Sequence, residues 1–548
     1  MIKRLIFLWV FCLGFFRGWA QPPAVWQWSA ELKGGREHAG PARAFLWIPE
    51  DCRKVRGVVI AQNNMEEESI LENARFRRAM GELGFAEIWV SPGFDHLFRF
   101  TEGAGETFDA MMDTLALLSG YNELALAPVV PMGHSAAASW PYYFAAWNPG
   151  RTLAALSVSG QWPYFRSAVF APDIWGDRTI DYVPALETMG EYEAADTWAD
   201  EGLKERREHP LMPLSMLANP AQGHFAATDV KVDYLALYIR KAAEYRLSKT
   251  GNGAVTLRPI DPTKTGWLVD RWRPGHMPTA PAAPVGKYMG DPGQAFWFFD
   301  EEMAQATERY EAAYRGLKVP LLGYIQDGAL VRQRNTHQQV DLAFQPEADG
   351  LHFQLKVGFL DTVPGESPRP AAWAGLPAGS VIGHPADASA IMVHRISGPV
   401  RELGKNRWVV SLEKGLGANL AHYELWFAAV YPGDGEYQPA VQQAELVIPV
   451  RHGQGVAQHI DFPPLGDRRV GGSTMRLRAV SDAGLPVHFF VLEGPAYIEK
   501  DSLLRFTPVP PRSRRLVKVT VVAWQWGRAD SPAVQGAEPV SRSFYLRN

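Results

Sequence analysis

Short apolar runs punctuate the first half of the chain, at residues 57–61, 87–90, 128–132, 153–158, 184–186 and 214–217. Runs that stay apolar instead of alternating predict strands buried on both faces. Between them, residues 67–84, 107–118, 137–147 and 230–245 carry apolar positions at helical spacing. This βαβα rhythm predicts an α/β domain over residues 21–255, a mostly parallel sheet with helices on both faces. From 256 to 294 the rhythm stops, and the stretch His276-Met277-Pro278-Thr279-Ala280-Pro281-Ala282-Ala283-Pro284 is typical of the composition that replaces it. A linker lying across the first domain is expected over 256–317, with a helix at 296–314. Beyond Lys318 the period becomes two, as in Leu351-His352-Phe353-Gln354-Leu355-Lys356-Val357. Two all-β, sandwich-like modules are expected, at 318–455 and 456–548, the second with the size and strand spacing of an immunoglobulin-like domain. No convincing internal repeat or low-complexity tract interrupts the pattern.

A length of 548 residues agrees with several domains. The 47% hydrophobic content supplies ordinary globular cores, and 55 basic against 59 acidic residues leave a formal charge of −4, which disfavours a nucleic-acid partner. Lys3 and Arg4 precede an apolar stretch from Leu5 to Phe16, and Gly18-Trp19-Ala20-Gln21 has the small residues of a cleavage site. This layout predicts a secretory leader, removed after Ala20, and no later run is long enough to span a bilayer. Of the two cysteines, Cys12 leaves with the leader and Cys52 is left without a partner, so no disulfide framework is expected in a secreted or periplasmic bacterial monomer.

The most informative residues are Met132-Gly133-His134-Ser135-Ala136-Ala137, directly after an apolar run and directly before a helical one. A serine on so sharp a turn requires small residues two places before and after it, here Gly133 and Ala137. The string departs from G-x-S-x-G in its last position but meets the same steric need. A plain turn with a capping serine is the competing reading.

With this elbow the first domain resembles the α/β-hydrolase superfamily. The resemblance implies a serine, then an acid, then a histidine along the chain. It implies that Glu193, three residues after Gly190 in the turn that follows an apolar run, is the acid, with Glu191 as the alternative. It implies His224, in the polar loop after residues 214–217, as the general base. Of the other histidines in the region, His38, His96, His134 and His209, only His96 also falls in a loop beyond the sheet's C-terminal edge. Ser135 is the implied nucleophile, and the implied oxyanion donors are the Ala136 N–H and a backbone N–H of Asn64 or Met65, in the loop after residues 57–61. No metal-binding spacing, phosphate loop or dinucleotide fingerprint occurs, so neither metal nor cofactor is expected.

The insertion between residues 159 and 182 is too short for a closed lid, and its aromatic side chains suit an open cleft. Trp162, Trp175 and His96 are the candidate substrate contacts, although rings at such positions also serve as core filler. The layout resembles secreted bacterial carbohydrate esterases with C-terminal immunoglobulin-like modules, which implies a polysaccharide or oligosaccharide ester as substrate. A serine peptidase, a general carboxylesterase and a non-catalytic carbohydrate-binding surface protein are the alternatives. If the β modules are spacers or polymer contacts, a chain ending near Lys318 should still turn over small esters.

Overall fold

The computed structural model describes residues 24–33, 35–37, 40–225, 227–248, 255–334, 339–365, 368–417, 420–472 and 474–547. The expected leader and His38 lie outside the described residues. Among the described residues, no helix is long and apolar enough to cross a membrane.

Eight strands form the first sheet: β1 (Trp28–Leu32), β2 (Ala42–Trp47), β3 (Gly57–Gln62), β4 (Phe85–Ser91), β5 (Val129–His134), β6 (Ala155–Val158), β7 (Ala185–Gly190) and β8 (Leu214–Asn219). Their order is β1-β2-β4-β3-β5-β6-β7-β8. The pairings β1–β2 and β2–β4 are antiparallel and every later one is parallel. β3 to β8 are buried at every position, which is why they stand out as unbroken apolar runs. The hydrophobic runs do not predict β1 and β2, because Ser29, Glu31 and Arg43 interrupt them.

Six helices belong to this layer: α1 (Glu67–Leu71), α2 (Ala74–Leu83), α3 (Ala104–Ser119), α4 (Trp140–Trp147), α5 (Ala195–Glu208) and α6 (Asp229–Arg246). The single helix expected over 67–84 is two, because Asn73 leaves the helical conformation and its side chain caps α2 by accepting from Arg75 N and Phe76 N. The expected linker is a folded layer. Strands Trp267–Asp270, Ala283–Pro284 and Ala295–Phe298 pair into a small sheet, and α7 (Glu301–Glu311) starts only at the Asp300 cap, so the helix expected over 296–314 opens as a strand. Ser215 of β8 donates to the Trp297 carbonyl oxygen (2.5 Å), and Ala218 N to Glu311 (3.1 Å), so this layer covers the β8 edge.

The remainder is β-rich. A four-stranded sheet (Val340–Leu342, Ala440–Pro449, His422–Tyr431, Met392–Ser397) and a three-stranded one (His352–Gln354, Arg407–Val410, Val400–Gly404) share a core that includes Phe353, Trp408, Leu425, Phe427 and Leu446. A second four-stranded sheet (Arg468–Arg469, Val540–Arg547, Leu516–Trp524, His488–Glu493) follows. Neither group stands apart from the first domain. Gly494 N donates to the Trp26 carbonyl (2.9 Å) and Arg514 N to that of Ser119 (3.0 Å), which holds the last group against β1 and α3. The middle group lies over the C-terminal ends of the parallel strands, where it contacts the loops described next.

Candidate active site

At the end of β5 the chain turns into a short 3-10 segment, Ser135–Ala137, before α4. Ser135 has φ +55°, a left-handed conformation that costs a serine free energy and lifts its side chain out of the sheet. The turn closes so tightly that a Cβ on Gly133 would come within 2.0 Å of the Ala137 carbonyl oxygen. That is the physical content of the small-residue pattern around the serine.

The loops after β7 and β8 bring two side chains to this point. His224 Nε2 is 2.8 Å from Ser135 Oγ, and His224 Nδ1 is 2.8 Å from Glu193 Oε2. A carboxylate cannot donate, so Nδ1 carries the proton to Glu193 and Nε2 is left to accept from the hydroxyl. His224 is buried and Ser135 half-buried, so the three groups meet away from bulk water but within reach of it. Glu191, the alternative acid, does not reach His224. Its Oε2 accepts from Ala221 N (2.7 Å), bracing the acid loop against the histidine loop, and burial pushes its carboxyl up.

Beneath these three side chains lie groups that the sequence pattern did not single out. His134 is buried, and its Nε2 donates to the His224 carbonyl oxygen (3.0 Å). Burial first, and then the neighbouring His224, hold it well below the usual imidazole range, so it stays neutral. Glu67 accepts from His134 N at Oε1 (2.7 Å) and from Asn64 N (2.9 Å) and Met65 N (2.8 Å) at Oε2. Burial pushes this carboxyl up to about 7 against the pull of those amides. The expected oxyanion donors Asn64 and Met65 are therefore corrected: both N–H groups are spent on Glu67 and turn toward the protein. Ala136 is half-buried on the turn next to Ser135.

The candidate substrate contacts are also corrected. Trp162 is 1% exposed, stacked on Phe296 at 5.8 Å, with its Nε1 donating to the Trp198 carbonyl. Trp175 is 2% exposed and packs edge-on against Tyr143 and Tyr164. Both fill space beneath the 159–182 insertion. His96 is buried too, with Nε2 at 2.9 Å from the Asn63 carbonyl oxygen and Nδ1 at 3.4 Å from Glu37, so it fixes the loop after β3.

The walls of the site come from the middle β-rich group. With its amide oxygen turned toward the histidine loop, Gln443 accepts from His224 N (2.6 Å) and Phe225 N (3.2 Å). A Cβ on Gly223 would meet the Gln443 amide at 2.2 Å, so a larger residue there would push that amide off the histidine loop. Tyr192, beside the acid, receives a hydrogen bond from Gln438 Nε2 (2.5 Å), donates to the Pro439 carbonyl (3.2 Å) and meets Trp373 with ring centroids 4.8 Å apart. Phe225, Ile396, Trp426 and Ala428 form an apolar patch with Met65 packed against it. Arg395 pairs with Glu413 and with Glu68 of α1 (3.3 Å), while Lys414 sits 3.5 Å from Glu68 and 2.9 Å from Glu72. A cleft of about 370 Å³ opens between the two bodies, with Asn63, Asn64 and Ser91 on one side and His422, Tyr423 and Trp426 on the other.

No family model matches the chain, and no curated protein does. Among solved structures it is similar to esterase PE8 (14% identity, 37% of this chain and 98% of that one, TM-score 0.27). It is similar to LpqC, a poly(3-hydroxybutyrate) depolymerase from Bordetella parapertussis (14% identity, 39% and 88%, TM-score 0.29). A dienelactone hydrolase from Anabaena variabilis is a third (14% identity, 43% and 100%, TM-score 0.27).

Proposed function

We propose that the chain is a serine hydrolase of the α/β-hydrolase type, secreted, that cleaves carboxylic esters on a saccharide through an acyl-enzyme. The observation that carries the hydrolytic reading is the pair of 2.8 Å contacts linking Ser135 Oγ, His224 and Glu193 on a strained elbow. Serine is a weak nucleophile at its own pKa, so His224 Nε2 takes the hydroxyl proton as Oγ attacks the ester carbonyl. Glu193 holds the tautomer and stabilises the imidazolium. Negative charge gathers on the former carbonyl oxygen, where the Ala136 N–H donates. The intermediate collapses as His224 returns its proton to the departing alcohol, and water then releases the acid by the same steps in reverse roles.

With Trp162 and Trp175 in the core, support for a saccharide comes from the cleft and the layout. Across it Asn63, Asn64 and Ser91 face His422, Tyr423 and Trp426, a mixed polar and aromatic lining that suits sugar hydroxyls and ring faces better than an acyl chain. The β-rich groups follow the hydrolase domain as in the carbohydrate esterases that the chain resembles. Treatment with a fluorophosphonate probe should label Ser135, read by peptide mass, and Ser135→Ala should abolish the label. An unlabelled native chain overturns the hydrolase reading. A screen of acetylated, methyl-esterified and feruloylated polysaccharides tests the saccharide part separately, and turnover of simple esters alone overturns that part.

A further inference from the structure

Edge strand β1 lies four places from the nucleophile strand in the sheet order. Where it meets the last β-rich group there is a groove of about 490 Å³, lined among others by Trp28, Arg43, Arg514, Arg515, Lys518 and Tyr545. Its walls are held together by direct bonds across the junction: Ser29 donates to Glu493 Oε2 from N (3.2 Å) and Oγ (2.8 Å), beside the main-chain bonds of Gly494 and Arg514. A preformed groove costs little ordering free energy when it is filled.

The charge in this groove is one-sided. Glu493 is its one carboxylate among the described residues, and its oxygens are taken by Ser29, Thr520 (2.9 Å) and Lys518 (3.0 Å). Gln27 spends both ends of its amide on Ile48. Arg43 reaches Ser29 and Glu31. Arg514 and Arg515 are exposed, and neither side chain has a carboxylate partner among the described residues. Trp28 is 4% exposed, and its indole N–H has no hydrogen-bond partner in the protein.

We propose that this groove binds an anionic saccharide, a chain bearing carboxylate or sulfate groups, with Arg514 and Arg515 on its charges and Tyr545 against a sugar ring. Guanidinium pairs suit planar carboxylates and tetrahedral sulfate esters alike, and the half-exposed Tyr545 offers a ring face to sugar C–H groups. A concave furrow between two domains cannot lie against a planar bilayer. A net charge of −4 gives no broad basic face for a nucleic acid. The site stands independently of the hydrolytic reading, since binding there needs no turnover.

The test is calorimetric titration of the full chain with an oligogalacturonate, a sulfated carrageenan oligosaccharide and neutral maltohexaose, with phosphatidylglycerol vesicles and single-stranded DNA as further arms. At least one acidic oligosaccharide should bind, more weakly as salt rises, and maltohexaose should not. Preference between the two acidic chains identifies carboxylate or sulfate as the recognised group. The double variant Arg514→Ala/Arg515→Ala should weaken binding about tenfold or more, and Tyr545→Ala, which removes the exposed ring face, about threefold. Turnover of p-nitrophenyl acetate should be unchanged in both. No binding of either acidic chain, native affinity in the double variant, or tighter binding to the vesicles or DNA overturns the proposal.

Discussion

Ser135 is held in a conformation that few serines adopt, and its value depends on what surrounds it. Replacing Ser135 or His224 by Ala should lower kcat by about 10⁴ to 10⁶, and the double variant should be little worse than either one, because the two groups act as a unit. Steady-state kinetics that show multiplying losses contradict the assignment. Glu193→Ala should cost about 10² to 10⁴ by the same reasoning. Glu191→Ala should instead lower thermal stability through the lost bond to Ala221 N, with a smaller loss of activity. Ser135 was legible from its elbow, and the resemblance that the elbow carries pointed to Glu193 and His224, each in a loop after a buried strand; the structure brings His224 within 2.8 Å contacts of both Glu193 and Ser135. Glu67 was not legible, since an acidic run at a helix start looks the same whether its middle residue faces solvent or accepts three amides. Trp162 and Trp175 illustrate the same limit: a tryptophan in an insertion reads alike as a platform or as filler until its neighbours are known.

At the level of elements, the strand Ala440–Pro449 and the residues leading into it bind the Glu193 loop and the His224 loop at once. Gln438 and Pro439 hold Tyr192 beside the acid, and Gln443 holds the main chain at His224. Gln443→Leu leaves two buried amides unpaired, a loss of about 1 kcal/mol or more for each. The expected result is a fall of about tenfold in kcat for a small ester with little change in KM, while Gln443→Glu, which keeps the acceptor, retains more activity. Equal kinetics in Gln443→Leu and the native chain contradict a positioning role. Sequence periodicity located this strand within an all-β region but could not show what it touches, because contacts between distant segments leave no local pattern. The small sheet around Trp297 was read as a linker for the related reason that Pro and Gly mark both loops and short irregular strands.

Across the whole molecule, burial has left several carboxyl groups raised, Glu67 to about 7 and Glu87, Glu205 and Glu311 to about 8. Each native value lies above that of the unfolded chain. The native state therefore binds more protons over the interval between, and the stability these groups confer is lost as pH rises through 7 to 8. The melting temperature should fall from pH 5 to pH 8.5, and a flat or rising profile contradicts the burial of these groups. The same long-range contacts decide how the chain can be cut. Removing everything after residue 318 takes away Gln438 and Gln443 from the catalytic loops, the apolar cover from Phe225 and Met65, and the cations that pair with Glu68 and Glu72. Unpaired charges and bare apolar surface are both expensive, and a displacement of about 1 Å at the triad can itself cost about 10² in rate. The shortened chain should thus lose small-ester turnover by at least about a hundredfold, the opposite of what a spacer predicts. A chain shortened after residue 455 should keep more of that turnover than the 318-residue chain but melt earlier than the full one, because it retains Gln438 and Gln443 and loses Trp524 and Trp526 from the core of the middle group. Full activity in the 318-residue chain, measured with p-nitrophenyl acetate alongside circular dichroism, would show that the middle group does not build the site.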